Sequence, residues 1–288
     1  MKHFFRLALS IFCGFYSTLQ AQQISKTPDF KLHKKGDYYV TWGYNREWFN
    51  KSDIHFTGPG YDFTLKDVKA VDRPSPINLD YVKWDTWSVP QFNLHVGYFI
   101  SDKYSISVGW DHMKYVVDVP QTVKITGHID PNISNPSISS NVPSGNYAGN
   151  YNNNDITLQP DFLTFEHTDG LNYASVDLER YDELWQSRKY KHVGVTLATG
   201  GGLGMIIPRS DVRFFGNGRN HFWNIAGWGS SLKAGLQFNI FKRVYLQTDF
   251  KIGYLELLNI HTTENTNVDK AQQHIIFYEN YWVIGFRI

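Results

Sequence analysis

The chain has 288 residues, with 28 Lys and Arg against 27 Asp and Glu, so no overall charge excess points to nucleic acid or an anionic surface as partner. Aromatic residues make up 16% of it, yet mean hydropathy is negative. No long apolar run follows the N-terminal one, which excludes membrane-spanning helices of roughly 20 residues, and the length is one that a single β domain accounts for.

Residues 1–21 read as a cleaved targeting segment. Lys2, His3 and Arg6 form a basic start, residues 7–16 are uncharged and apolar, and the small Ala21 closes a plausible cleavage site. Acylation at Cys13 is the poorer reading, because bulky Phe12 precedes it. Cleavage removes the only cysteine together with Lys2 and Arg6, leaving 26 bases (28 less 2) against 27 acids. The mature chain then has no thiol chemistry and no disulfide. Residues 22–36 are expected to form a short N-terminal periplasmic segment, and residues 37–288 the β domain.

In chain order, eight runs alternate apolar with polar or small residues, the period of a strand with two different faces. Tyr38, Val40, Trp42 and Tyr44 alternate with Tyr39, Thr41, Gly43 and Asn45. Phe92, Leu94, Val96 and Tyr98 oppose Asn93, His95 and Gly97, and Tyr104, Ile106, Val108 and Trp110 oppose Ser105, Ser107, Gly109 and Asp111. A run over 171–181 sets Ala174, Val176 and Leu178 against Ser175, Asp177 and Glu179. Residues 193–207 carry Gly194, Gly200, Gly202 and Gly204 on one phase. Residues 226–240 and 244–254 follow, with Ala226, Trp228, Leu232 and Phe238 expected outward and Ser231, Lys233, Asp249 and Lys251 inward. The last run sets Tyr278, Trp282, Ile284, Phe286 and Ile288 against Glu279, Tyr281, Gly285 and Arg287.

The connections alternate as well. Ser101-Asp102-Lys103 and Phe241-Lys242-Arg243 are tight, whereas those near 46–90, 118–165, 208–220 and 258–272 are long and polar. Short turns at one end and long loops at the other, on strands of about ten residues, describe an all-β transmembrane antiparallel up-and-down barrel with periplasmic turns and extracellular loops. Eight strands are expected. The alternating run from Tyr61 to Leu65 would make ten if it crossed the membrane, but is read as an extension of the wall above it. The stretch 130–160, almost free of large aliphatics, is expected to be a solvated mobile loop.

The signal segment, the alternating strands and the terminal Asn280-Tyr281-Trp282-Val283-Ile284-Gly285-Phe286-Arg287-Ile288 resemble small outer-membrane β-barrels of the OmpA/OmpX type. They resemble still more closely outer-membrane barrel families known mainly from sequence. The resemblance implies outer-membrane lipid as surroundings and insertion by the barrel-assembly machinery. This chain has Val283 where the family's terminal pattern has Gly, and Gly285 follows.

Eight strands enclose a space that side chains just fill, so the inward charges should neutralise one another. These are Asp111, Asp177, Glu179, Asp249 and Glu279 against Lys233, Lys251 and Arg287. The turn at 241–243 sets Lys233 opposite Lys251 with Asp249 on the diagonal, and a shared Lys–Asp–Lys cluster is expected, as a plug in preference to an ion path. His95, Asp111 and Ser107 are the one candidate hydrolytic set; a hydrogen-bond network is the preferred reading, with no catalytic residue. The inward glycines 200, 202 and 204 lack phosphate-loop spacing and are expected to make room for Trp223 and Ile225. Histidines 221, 261 and 274 lie near the rim without short ligand spacing, so no metal or cofactor is expected. Trp42, Trp110, Trp228 and Trp282 suit interfacial girdles. Trp48, Phe49, Trp84 and Trp87, in a connection punctuated by Gly58-Pro59-Gly60 and Asp72-Arg73-Pro74, are the expected partner-binding element. The functional reading is a non-enzymatic barrel with a structural or surface-binding role, an accessory subunit of an envelope complex. A small-solute channel is the alternative, and a hydrolase is less favoured.

Overall fold

The structure is a computed structural model, and it describes residues 30–76, 90–133, 144–215 and 222–288. Residues Leu32–Ile288 form one compact unit, and the expected targeting segment lies outside the described residues. The strands are β1 (Tyr38–Phe49), β2 (Ser52–Gly58), β3 (Tyr61–Val68), β4 (Ala70–Val71), β5 (Phe92–Phe99), β6 (Tyr104–Val117) and β7 (Gln121–Ile129), followed by β8 (Gly149–Leu158), β9 (Leu163–Gln186), β10 (Gly194–Phe214), β11 (Phe222–Trp223), β12 (Gly227–Asn239), β13 (Val244–His261) and β14 (Lys270–Arg287).

Eight of them close a ring in the order β1-β5-β6-β9-β10-β12-β13-β14, and β14 pairs back onto β1 from Arg287↔Tyr39 to Phe277↔Phe49. Every pairing in the ring is antiparallel. These are the eight strands that the alternating pattern marks. The run from Tyr61 to Leu65 lies in β3, outside the ring, so the count stays at eight. A third short connection, 187–193, joins β9 to β10. It escapes the sequence reading because β9 runs past Tyr181 through a charged stretch to Gln186. At the turn end the two strand termini meet, the Ile288 amide donating to the Tyr38 carbonyl at 2.9 Å.

The two faces of the wall differ as the pattern requires. Val108, Leu203 and Leu232 are 63%, 68% and 67% exposed, while Ser107, Ser231 and Lys233 beside them are buried. A continuous apolar belt of this kind is a penalty in water and the required surface in hydrocarbon. Ala226 departs from its expected outward place. It is buried, and its amide donates to the Ile206 carbonyl at 2.9 Å, because it precedes β12 where the chain bends in over the rim.

Crossing a membrane takes about 9–11 strand residues; β9 has 24, β10 has 21, and β13 and β14 have 18 each. Their surplus stands above the belt. There β14 also pairs with β2, and the sheet continues through β3 and β7 to β8. This extension encloses an aromatic roof over the lumen: Phe56 stacks on Phe63 at 5.2 Å and meets Phe165 and Phe214 edge-on at 5.7 and 5.4 Å. The expectation of a mobile loop over 130–160 is therefore wrong for 149–158, which form β8 along the whole of β7. The strand is polar because most of its side chains face water, and Leu158 and nearby Phe162 anchor its end in the roof. Residues 134–143 lie outside the described residues.

His167 is fully buried in this roof, between Phe165 (5.0 Å) and Tyr115 (5.7 Å). Burial alone holds its pKa down at about 3, against an ordinary 6.5. Between those two values the unfolded chain binds a proton that the native ring refuses, so stability falls as pH drops through 6.5. Urea titrations in detergent micelles should show this acid loss. His167→Leu should flatten that part of the slope and leave stability above pH 7.5 nearly unchanged; an unaltered slope would contradict the assignment.

Candidate functional site

A ring of eight strands leaves space for side chains and little else, and the sequence meets that limit by facing glycines with large residues. Tyr39 sits opposite Gly97, and Tyr245 opposite Gly285. A Cβ on either glycine would collide with the facing ring. The filled lumen is built in three levels.

At the turn end the chain ahead of β1 enters the mouth. Leu32 and His33 are buried, the His33 ring packs on Tyr181 (4.8 Å) and Phe99 (5.1 Å), and its Nε2 lies 2.6 Å from Gln237 Oε1. Arg287 belongs to this level. Its guanidinium lies 4.6 Å over the Tyr245 ring and donates to Gln237 Oε1 at 3.0 Å and to Asn239 Oδ1. The expected acidic partner is replaced by amides and a ring, because the inward carboxylates stand higher in the lumen.

The middle level holds the charges, in two groups. Lys233 Nζ is 2.7 Å from both Asp177 Oδ2 and Glu179 Oε1. Lys251 bridges Asp111 and Glu279, the latter at 3.2 Å, and its Nζ lies 5.1 Å over the Tyr281 ring. Lys233 and Lys251 are cross-strand partners as the turn length predicts, but the shared Lys–Asp–Lys cluster does not form. Like charges side by side repel, so each ammonium turns to a different wall. Asp249 accepts instead from Gln247 Nε2 at 2.8 Å.

The route of Lys233 to its acids explains the glycine run. On β10 its partner is Gly200, which in turn faces Glu179 on β9, and Gly202 faces Asp177. A side chain at Gly202 would occupy the space of the Asp177 carboxylate, and one at Gly200 would crowd the Leu178 carbonyl and the Glu179 side-chain stem. The glycines thus open a path for an ion pair across an intervening strand. They do not accommodate Trp223 and Ile225, which are 48% and 61% exposed.

His95, Asp111 and Ser107 do not come together. His95 reaches Asn93 Oδ1 (2.9 Å) and Asp177 Oδ2 (3.2 Å), Ser107 donates to Glu179 at 3.2 Å, and Asp111 takes the Asn93 amide and Lys251. All three are buried under the roof, where each is a strut of the charge network. Among the described residues no group of three or more His, Cys, Asp or Glu is placed to hold a metal. His274 is exposed, stacked on Tyr254 at 6.4 Å, and His221 lies outside the described residues.

At the top of β1 the two expected partner-binding aromatics part company. Trp48 faces out, 54% exposed, while Phe49 turns in and meets Tyr115 edge-on at 5.0 Å. Both belong to the strand and not to a loop. Trp84 and Trp87 lie outside the described residues. Sequence reasoning missed Asp72, which accepts from the outward Arg46 at 2.7 Å. It also missed Glu47, buried on the inward phase of β1. The alternation of β1 carries the signal for Glu47, whereas nothing local marks Asp72.

No protein-family model matches the chain, and no curated protein matches it. Solved structures do. The outer-membrane protein OprG from Pseudomonas aeruginosa aligns at 11% identity over 90% of this chain and 99% of its own, with a TM-score of 0.39. The outer-membrane protein AlkL aligns at 11% identity over 93% and 95%, TM-score 0.37, and Neisserial surface protein A at 10% over 88% and 99%, TM-score 0.36. Each is a likeness of fold alone. The closed ring, the apolar exterior and the filled polar interior are themselves an outer-membrane architecture, and the chain is an outer-membrane β-barrel protein.

Removing one partner of a buried ion pair leaves an uncompensated charge at a cost of about 3–5 kcal/mol, whereas replacing the whole group by neutral residues is far milder. Lys233→Met should therefore lower the unfolding free energy from urea titration in micelles by that amount, and adding Asp177→Asn with Glu179→Gln should recover most of it. Equal losses in the single and triple variants would contradict the pairing.

Proposed function

We propose that this barrel is a closed, non-enzymatic element of the outer membrane with a structural or surface-binding role, an accessory subunit of an envelope complex. One observation carries the reading: the lumen is filled at three successive levels. These are the His33 segment in the turn-side mouth, the two lysine–carboxylate groups above it, and the aromatic roof above those. A solute path would need all three to move, and separating the buried ion pairs is costly. A hydrolase would need a base and a nucleophile meeting where substrate arrives, and the His95 contacts favour a structural part instead.

Binding is assigned to the loop side, where β2, β3, β7 and β8 extend the wall beyond the ring. Of the two described aromatics at the top of β1, Trp48 is the one left outward, so partner contact is expected through Trp48 and the extension sheet and not through Phe49. Lipid surrounds the belt, and insertion is assigned to the barrel-assembly machinery on the strength of the terminal strand.

Planar-bilayer recording separates the two main readings. The purified barrel should give no steady conductance, and deletion of residues 22–36 alone should not open one, because the lysine–carboxylate level and the roof remain. Steady single-channel steps from the intact chain would establish the channel reading.

A further inference from the structure

The near-zero net charge conceals an asymmetry between the two ends. At the loop end, several outward cations have carboxylate partners: Lys66 with Asp53 at 2.7 Å, Lys69 with Asp118 at 2.9 Å, Lys124 with Asp155 at 2.8 Å, and Arg213 with Asp211 at 3.0 Å. At the turn end one arc differs. The connections 187–193 and 240–243 hold five Lys and Arg and no Asp or Glu. They are neighbours on the rim, since Gly194 and Asn239, where β10 and β12 meet them, are cross-strand partners.

Arg188, Lys189, Lys242 and Arg243 are exposed, and among the described residues none of the four lies within ion-pair distance of a carboxylate. The next turn round the rim contrasts with this. There Lys103 and Arg180 share Asp182 at 3.7 and 2.7 Å, so the two connections stand out as the run of cations without carboxylates on this part of the rim. Cations crowded on one short arc repel one another, and an apposed anion relieves that repulsion.

Their surroundings indicate which anion. Trp185, Tyr190 and Phe241, on and beside the same connections, are 55%, 54% and 60% exposed. Lys189 Nζ lies 5.1 Å over the Tyr190 ring. The lipid-facing belt ends immediately above, at Phe238 and Leu246. Aromatic rings flanked by lysine and arginine at the edge of an apolar belt sit at the depth of lipid headgroups.

We propose that the 187–193 and 240–243 rim binds the phosphate headgroups of anionic glycerophospholipids in the leaflet on the turn side, with Trp185 and Phe241 seated in the interface beside them. The zwitterionic headgroup of phosphatidylethanolamine offers the same phosphate with its own ammonium attached, so it should compete poorly. An apposed cation gains about fivefold in lipid affinity near such a surface.

Native mass spectrometry of the micelle-purified full chain, offered equimolar phosphatidylglycerol and phosphatidylethanolamine, tests this. The unaltered chain should retain phosphatidylglycerol at least about fivefold over phosphatidylethanolamine. The quadruple variant R188Q/K189Q/K242Q/R243Q should fall to parity while still migrating as a folded barrel in unheated gels. A loop-end control, K66Q/K69Q/K124Q/R213Q, should keep the preference. Parity in the unaltered chain, or a preference kept by the turn-side variant, would overturn the proposal. Should that variant not fold, the salt dependence of the unaltered chain decides: a preference that survives 1 M salt overturns the assignment, and one that collapses upholds it.

Discussion

The ladder that fastens β14 to β1 is the constraint on which the rest of this structure depends. In hydrocarbon a backbone amide or carbonyl without a partner costs several kcal/mol, so a sheet can cross a membrane only if its two edges meet. Here they meet along the whole of β1, from Tyr39 to Phe49. Closure then fixes which side chains face lipid and which face one another, and it leaves no choice about filling the middle. Above the belt, where water can solvate an edge, closure is no longer required. The sheet there leaves the ring at β14 and runs out through β2 and β3 to β7 and β8.

A narrow lumen turns every inward residue into a packing decision. Glycines facing Tyr39 and Tyr245 give those rings room, and glycines 200 and 202 let a lysine reach over one strand to two acids on the next. The charges are stable in this setting because each ammonium has two carboxylates or a ring beside it. The same residues that could suggest catalysis, such as His95, are used up as neighbours of those ions. Sealing by charge in the middle and by apolar rings at the top is a division of labour imposed by the surroundings: the aromatic roof lies where β9, β10, β13 and β14 rise out of lipid.

Much of the wall was legible in the sequence, because lipid outside and a filled lumen inside impose a period of two on every spanning strand. Short turns also fix register, so Asn93 opposite Asp111, Gly97 opposite Ser107 and Lys233 opposite Lys251 follow from counting. What counting cannot reach is any contact between strands that a long loop separates. The partners of Lys233 on β9 are of that kind, as are the lodging of His33 in the mouth and the link from Arg46 to Asp72. The roof was hidden for a related reason. Phe56 and Phe63 face each other within the β2–β3 hairpin, but Phe165 and Phe214 lie far along the chain and reach them only when separate excursions fold over the rim. The Asn-rich β8 looked like loop because it borrows its order from β7 and from the anchors at its end.

The two faces of each spanning strand see two different media. Because Cys13 is the only cysteine in the chain, a single engineered cysteine in the mature barrel reports its own surroundings. Spin labels on Val108→Cys, Leu203→Cys and Leu232→Cys should collide freely with oxygen and hardly at all with an aqueous nickel chelate. Labels on Ser107→Cys and Ser231→Cys should be immobilised and shielded from both. Nickel access at 108, 203 and 232 in bilayers would contradict the placement of this wall in lipid, and free access at 107 and 231 would contradict a sealed interior.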